Sequence, residues 1–440
     1  PDLASQAYCY QSVWRRILIS IAGPAMNIIL GILLMLVMCC TSCLFDDHEH
    51  LYELNITEPT CTEQGVKKYV CSCGDYKIEE YIDPKGHSFG EWVVVSSPSS
   101  EQEGFKEKYC ACGAKESLSI DKLIPSKGLI FFLEDDGKSY YVSGMKDDAD
   151  VNVVIPDVYE GLPVTRIDSY SFCQNQLIQS LTFGNSITRI DFNDFSLCTS
   201  LKSVEMGDGV TVIDKGAFNG CTLLEYVRLG NSLTEISSMA FDNCTSLNSL
   251  KIPDSVNQID EYAFYGCTGL TEVIIGNGVI NIGDSAFKNC TSLVKLDIGG
   301  SVKSIDSNAF YDCLSLTNII IPDSVESLET SAFRNCEKLT HLTLGASVTE
   351  FGASVFEGCS SLTEIVFKCN VPEYTFSYIT SLKTVIIEDG VEEIGEAAFD
   401  GCTSLVNVTI PQSVNTIKSY AFQGCNSLVN VPFVPCLEFA

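Results

Sequence analysis

The chain has 440 residues, 45% of them hydrophobic, and a formal net charge of −30 at pH 7. That length leaves room for two or three domains, and the apolar share is enough for folded cores. Acidity spread along the chain argues against a nucleic-acid partner, which needs a basic face, and fits an exposed, self-repelling surface.

The sequence begins at Pro1, not Met, and reads as a fragment or as a gene model whose start lies upstream. Residues 1–12 are expected to form a cytoplasmic tail and 13–38 a transmembrane helix. Ile17–Met38 carries no charge across 22 residues, which as a helix spans about 33 Å against a hydrocarbon layer of roughly 30 Å. Arg15 and Arg16 precede it, and Asp46 and Asp47 follow. The positive-inside rule then keeps the N-terminus in the cytoplasm and places the bulk of the chain outside, at the cell surface. A second reading is a lipoprotein signal, with Thr41-Ser42 before a lipidated Cys43.

The segment from Ser12 to Leu34 includes Trp14, Arg16, then Ala22-Gly23-Pro24 and Asn27. It resembles the second transmembrane helix of site-2 proteases, the intramembrane zinc metalloproteases. The resemblance implies a helix running from cytoplasm to outside. Such a protease needs His-Glu-x-x-His to hold zinc and supply a base. The four histidines are His48, His50, His87 and His341, and none lies in that motif. The chain is therefore expected not to be an enzyme. The alternative is a catalytically incomplete protease fragment fused to a repeat ectodomain, or a gene-join artefact.

Residues 45–124 read as two tandem modules offset by 39 residues. His48 aligns with His87, Pro59 with Pro98, Gly65 with Gly104, and Cys71–Gly74 with Cys110–Gly113. Alternating apolar positions predict small hairpins. The modules resemble short Cys/His units in surface proteins of anaerobic bacteria. Their ligand types allow zinc through His48, His50, Cys61, Cys71, Cys73 and His87. Disulfides outside the cell, or free structural thiols, are the competing readings.

Residues 128–171 are expected to form an N-terminal cap and first repeat, and 172–436 a solenoid. Twelve phenylalanines from Phe172 to Phe422 recur every 23 residues, except for 20 between Phe356 and Phe376. A period this strict marks a repeat architecture whose units bury their apolar faces against neighbours. Leu270, Val273 and Ile275 give one short strand per repeat, so the fold class is a β-rich leucine-rich repeat solenoid with parallel strands. Stacking at about 4.8 Å over eleven intervals gives a ladder near 53 Å. The three-residue deletion predicts a local kink. Cysteines from Cys198 to Cys425 recur at the same register and read as small buried hydrophobes, because parallel side chains strain an S–S dihedral. The sequons at Asn243 and Asn289 are expected to be buried.

Ser315–Cys336 carries A-F-x-x-C, I-x-I-P-x-S-V and the intervening leucines, and it resembles BspA-type leucine-rich repeats. The resemblance runs over about 130–436. It implies adhesion to, or binding of, a host or microbial surface protein. The outward strand positions include Tyr226, Ile274, Ile320, His341, Val366 and Ile386, an apolar-rich face suited to a partner. The competing reading is that β-branched residues simply suit strands. No catalytic or cofactor-binding residues stand out. The expected protein is a membrane-anchored bacterial surface adhesin.

Overall fold

A computed structural model describes residues 52–429 and 438–439, apart from 62, 72–75, 83, 91, 97, 100 and 101. The expected tail and span, the Thr41-Ser42-Cys43 site, and His48, His50 and Cys73 lie outside the described residues. Among those described, every regular element is a strand, and no helix is long and apolar enough to cross a membrane. They fall into two compact units. One holds residues up to Gly90 together with Tyr109–Lys115; the other holds Glu91–Lys108 and Glu116 onward.

The first module is an antiparallel meander of β1 (Tyr52–Thr57), β2 (Gly65–Cys71) and β3 (Tyr76–Ile82). The second repeats it as β4 (Val93–Ser96), β5 (Gly104–Tyr109) and β6 (Lys115–Ile120). The 39-residue offset has a steric cause at one position. A Cβ on Gly65 would stand 2.4 Å from the Thr57 carbonyl oxygen, and one on Gly104 would stand 2.4 Å from that of Ser96. Only glycine fits where the chain re-enters the sheet so close to the preceding strand.

Ahead of the repeats, β7 (Leu129–Leu133) and β8 (Tyr140–Met145) pair as an antiparallel hairpin. β8 pairs in parallel with β9 (Leu162–Ile167). The Arg166 guanidinium lies 4.1 Å from the centre of the Tyr141 ring and bonds Glu134 at 2.6 Å.

Each full repeat contributes two short parallel strands, not the one expected from sequence. In the central repeat these are Glu272–Ile274 and Asn281–Ile282. The second strand is only two residues long, too short for alternation to register in sequence. Its ladder runs unbroken through eight strands, from Arg189–Ile190 to Glu350–Phe351. The first ladder is not the single sheet expected. It divides into three sheets, with breaks between Tyr226–Arg228 and Ser249–Lys251 and between Lys295–Asp297 and Asn318–Ile320.

Phenylalanine forms the core. From Phe172 to Phe356 successive rings stack with centroids 5.0–5.7 Å apart and planes within 2–11°. Two residues either side of each of the twelve phenylalanines the backbone is left-handed, with φ of 48–66° before and 57–81° after. This geometry aims alternate amides at the next repeat. Met239, Phe241 and Asn243 donate their N–H groups to the carbonyls of Glu261, Ala263 and Tyr265 at 2.7–3.1 Å. Gly, Asn and Asp hold most of the later left-handed positions, where they cost least. Asn243 occupies one of them and is exposed, which corrects the expectation of burial; Asn289 is half-buried.

The cysteines form a second column. Ten thiols, from Cys198 to Cys425, each donate to the carbonyl of the phenylalanine 26 residues earlier, at 3.0–3.6 Å. None is in a disulfide. The missing three residues tilt the rings by 21–23° around Phe376 and widen the Phe376–Phe399 spacing to 6.4 Å. They also end the second ladder at Phe351. One bridge, Val371 to Ile394, carries it on.

Two outcomes follow from this core. Phe264→Ala should cost about 3–5 kcal/mol in urea unfolding, whereas Ile280→Ala, half-exposed, should stay within about 0.5 kcal/mol. Asp194 is buried where most later repeats hold alanine, and burial lifts its carboxyl to about 7. A raised acid pKa stabilises the fold below the unfolded value near 4, and that stability is lost as pH rises through 7. Asp194→Ala should therefore flatten the pH dependence of the melting temperature between those limits and raise it above pH 7.

Candidate functional site

Two places gather chemistry: the outward strand face of the repeats, and a Cys/His cluster in the first compact unit. On the strand face, parallel pairing sets Tyr226 beside Ser203, Ile274 beside Lys251 and Asp297, and His341 between Asn318 and Glu364. Tyr226, Ile320 and His341 are exposed, Ile320 by 68%. Ile274, Val366 and Ile386 are half-buried, so the expected apolar stripe is not continuous. Neighbours on parallel strands stand close enough to cover one another, and Asp297 and Thr343 interrupt the column. The His341 ring nitrogen Nδ1 lies 2.9 Å from Thr340 Oγ1 and 3.1 Å from Asn318 Oδ1, which marks it as a surface polar group.

The apolar exposure concentrates at the break in the first ladder. Strands Lys295–Asp297 and Asn318–Ile320 belong to different sheets. Leu296, at a position buried in most other repeats, is half-exposed there. A recess of about 380 Å³ opens between them, lined by Val294, Leu296, Ile298, Thr317, Ile320 and Pro322 among others. Nothing in the strand motif signals this break. A larger cleft of about 720 Å³ lies at the shortened repeat, beside Phe351, Asn370 and Glu393.

The Cys/His cluster differs from the set expected from sequence. Cys61 and His87 do come together, but their partners are Cys110 and Cys112 of the second CxCG turn. Cys71 ends β2, and only its backbone is described. The four ligand atoms lie within 4.8 Å of one another. Cys61 Sγ is 3.4 Å from Cys110 Sγ, and Cys112 Sγ is 3.3 Å from His87 Nδ1.

Local structure explains the assembly. Cys61 sits in the β1–β2 connection, in a turn closed by Thr60 N–H to Glu63 O and Glu63 N–H to Thr60 Oγ1. His87 lies on a segment tied at both ends, by Lys85 N–H to Thr60 O and by Gly90 N–H to Tyr109 O. Cys110 and Ala114 close a three-residue loop in which Gly113 has φ +89°. In this turn the thiols of Cys110 and Cys112 both come within reach of Cys61 and His87, which the Cys-x-Cys spacing alone does not suggest. Hydrogen bonds from the Cys112 backbone, then from His87, Cys112 and Cys61, draw the Cys110 thiol down to about 6. The bond to Cys110 in turn pushes Cys61 up to about 11.

The fold and repeat define a leucine-rich repeat solenoid. The BspA type leucine rich repeat region matches over residues 165–294, 257–373 and 369–438, which is more than half of the chain. The chain therefore belongs to the BspA-type leucine-rich repeat family. Among solved structures it is similar to a leucine-rich repeat protein from Bacteroides ovatus, with 27% identity, 71% of this chain and 89% of that chain covered, and a TM-score of 0.48. A leucine rich cell surface protein from Faecalibacterium prausnitzii is 25% identical, with 72% and 94% covered and a TM-score of 0.36. A leucine rich repeat protein from T. pallidum is 20% identical, with 70% and 92% covered and a TM-score of 0.29. No curated protein matches the sequence.

Thiol reactivity should separate the two cysteine classes. Burial raises the thiols of Cys244 and Cys290, the latter to about 12, while Cys112 is exposed. Iodoacetamide applied to the folded, reduced and metal-free chain should label Cys112 at least tenfold faster than Cys244, read by peptide mass spectrometry.

Proposed function

We propose that the chain is a bacterial cell-surface protein that binds a protein partner through the outward strand face of its solenoid and performs no catalysis. Membership of the BspA-type family supports this reading. The observation that carries it is the apolar recess at Ile320, the most exposed large hydrophobic of the strand face, where the first ladder opens. An apolar anchor site rimmed by Lys295, Asp297 and Asn318 suits a protein side chain better than a small polar substrate. Anchoring through residues 17–38, with the N-terminus in the cytoplasm, is part of the proposal and rests on the sequence of that segment.

Two experiments test it. Intact cells are treated with protease, and membrane and soluble fractions are blotted for the solenoid. Loss of the solenoid with a small membrane stub left behind supports the surface reading; protection until lysis overturns it. The purified chain is then scored for binding to immobilised extracellular proteins of host and neighbouring bacteria. Ile320→Asp should weaken binding about tenfold or more, equivalent to roughly 1.4 kcal/mol, with Ile280→Asp unchanged. Equal losses in both variants, or a loss in neither, would remove the recess from the account.

A further inference from the structure

We infer that Cys61, His87, Cys110 and Cys112 form one closed zinc site that staples the first Cys/His module to the hairpin tip of the second. The site lies wholly within the first compact unit.

The geometry is that of a four-ligand site. Zinc bonded to thiolate at about 2.3 Å and to imidazole at about 2.0–2.1 Å sets the corners of its tetrahedron about 3.5–3.8 Å apart. The observed separations of 3.3 and 3.4 Å, with all four atoms within 4.8 Å, bracket that arrangement. Three sulfurs and one imidazole nitrogen are soft to borderline donors, which select zinc over magnesium or calcium. Four protein ligands leave no open position, so the role is structural and not catalytic. A disulfide fits less well. The 3.4 Å between Cys61 and Cys110 is far from a bond of about 2.05 Å, and a pair would leave Cys112 and His87 without a purpose.

The need for a staple is visible in the packing. Among the residues from 52 to 124 whose side chains are described, only Cys110 and Leu123 are buried hydrophobics. Leu54, Ile56, Trp92, Val93, Phe105 and Leu118 are exposed. Two three-stranded meanders without a core are marginal by themselves, and a metal is one of the few devices that holds such small sheets. The four ligands also come from three segments far apart in sequence, each fixed by its own backbone bonds. A chance cluster on mobile loops would not be held at three points.

The repeat offset explains why the set crosses modules. Moving 39 residues towards the N-terminus maps His87, Cys110 and Cys112 onto His48, Cys71 and Cys73, and maps Cys61 onto Ala22. Moving the other way maps Cys61 onto Ser100. A complete Cys3His set built on this pattern therefore exists once.

The full chain, purified under reducing conditions and loaded with cobalt(II), provides the test. Thiolate-to-cobalt charge-transfer absorption in the near ultraviolet, with intense tetrahedral d–d bands, should appear and should be displaced by zinc. Cys112→Ser and His87→Ala should each lower the cobalt affinity of this site by more than the roughly 10–100-fold that loss of an outer hydrogen-bond partner costs. Chelation should speed amide exchange across β1 to β3 and leave the solenoid unchanged, which separates metal loss from global unfolding. The inference is overturned if no thiolate bands form, or if they are unchanged in both variants while the solenoid stays folded. It is equally overturned if Cys61 and Cys110 of the chain isolated from its cells resist alkylation until a disulfide is reduced.

Discussion

Every other feature of the solenoid depends on one demand: each phenylalanine must meet the face of the next, 23 residues on. A stacked ring at 5.0–5.7 Å is slightly wider than the strand spacing of about 4.8 Å. The backbone around the ring must therefore carry its own hydrogen bonds to the next repeat. The paired left-handed residues supply them, at the φ-dependent expense of roughly 1–2 kcal/mol wherever glycine or asparagine is absent, as at Leu197 and Tyr378. Repetition makes that strain tolerable, because two neighbours hold each turn in place. The cysteine column depends on the same turn. Each thiol lies three residues beyond its own phenylalanine and reaches the carbonyl of the previous one, so a small residue with a weak donor fills the space.

The shortened repeat shows what happens when the demand is not met. Three missing residues leave the Phe356–Phe376 contact at 5.4 Å but rotate the rings by 21°. The first ladder survives, with Glu364–Phe367 paired to Thr384–Ile387. The second gives way, and its two-residue strand is replaced by a bridge and by side-chain bonds such as Asn370 Oδ1 to the Glu392 and Glu393 amides. The deletion is thus absorbed on the edge that has fewest bonds to lose, and the cleft beside Phe351 is the space left behind.

Much of this was legible in the sequence, and the reasons differ by level. The period, the inward leucines and the cysteine register follow from strict repetition, because a repeated residue in a solenoid occupies a repeated environment. The second strand per repeat is not legible, because two residues cannot show alternation. The breaks in the first ladder were not legible at all: Ile274 and Ile320 look alike as letters, but only Ile320 borders an unpaired edge. The Cys/His cluster was half legible. Cys61 and His87 read as ligands, and Cys110 and Cys112 as the repeats of Cys71 and Cys73, but grouping the ligands module by module hides the contact. What the letters do not carry is the fold that brings the second Cys-x-Cys turn against Cys61 and His87.

Stability and recognition are carried by different atoms in such a molecule. Inward side chains touch mainly their own and the adjacent repeats, so the core is close to a sum of similar neighbour contacts. Outward side chains touch little. Their ion pairs, Arg228 with Glu205 and Lys295 with Glu272, are partly solvated and worth little to the fold. Substitution along the outward columns is therefore nearly free, whereas substitution of a stacked phenylalanine is not. That asymmetry accounts for a sequence whose core positions stay apolar, with phenylalanine and cysteine nearly fixed, while its outward positions mix charge, polarity and size.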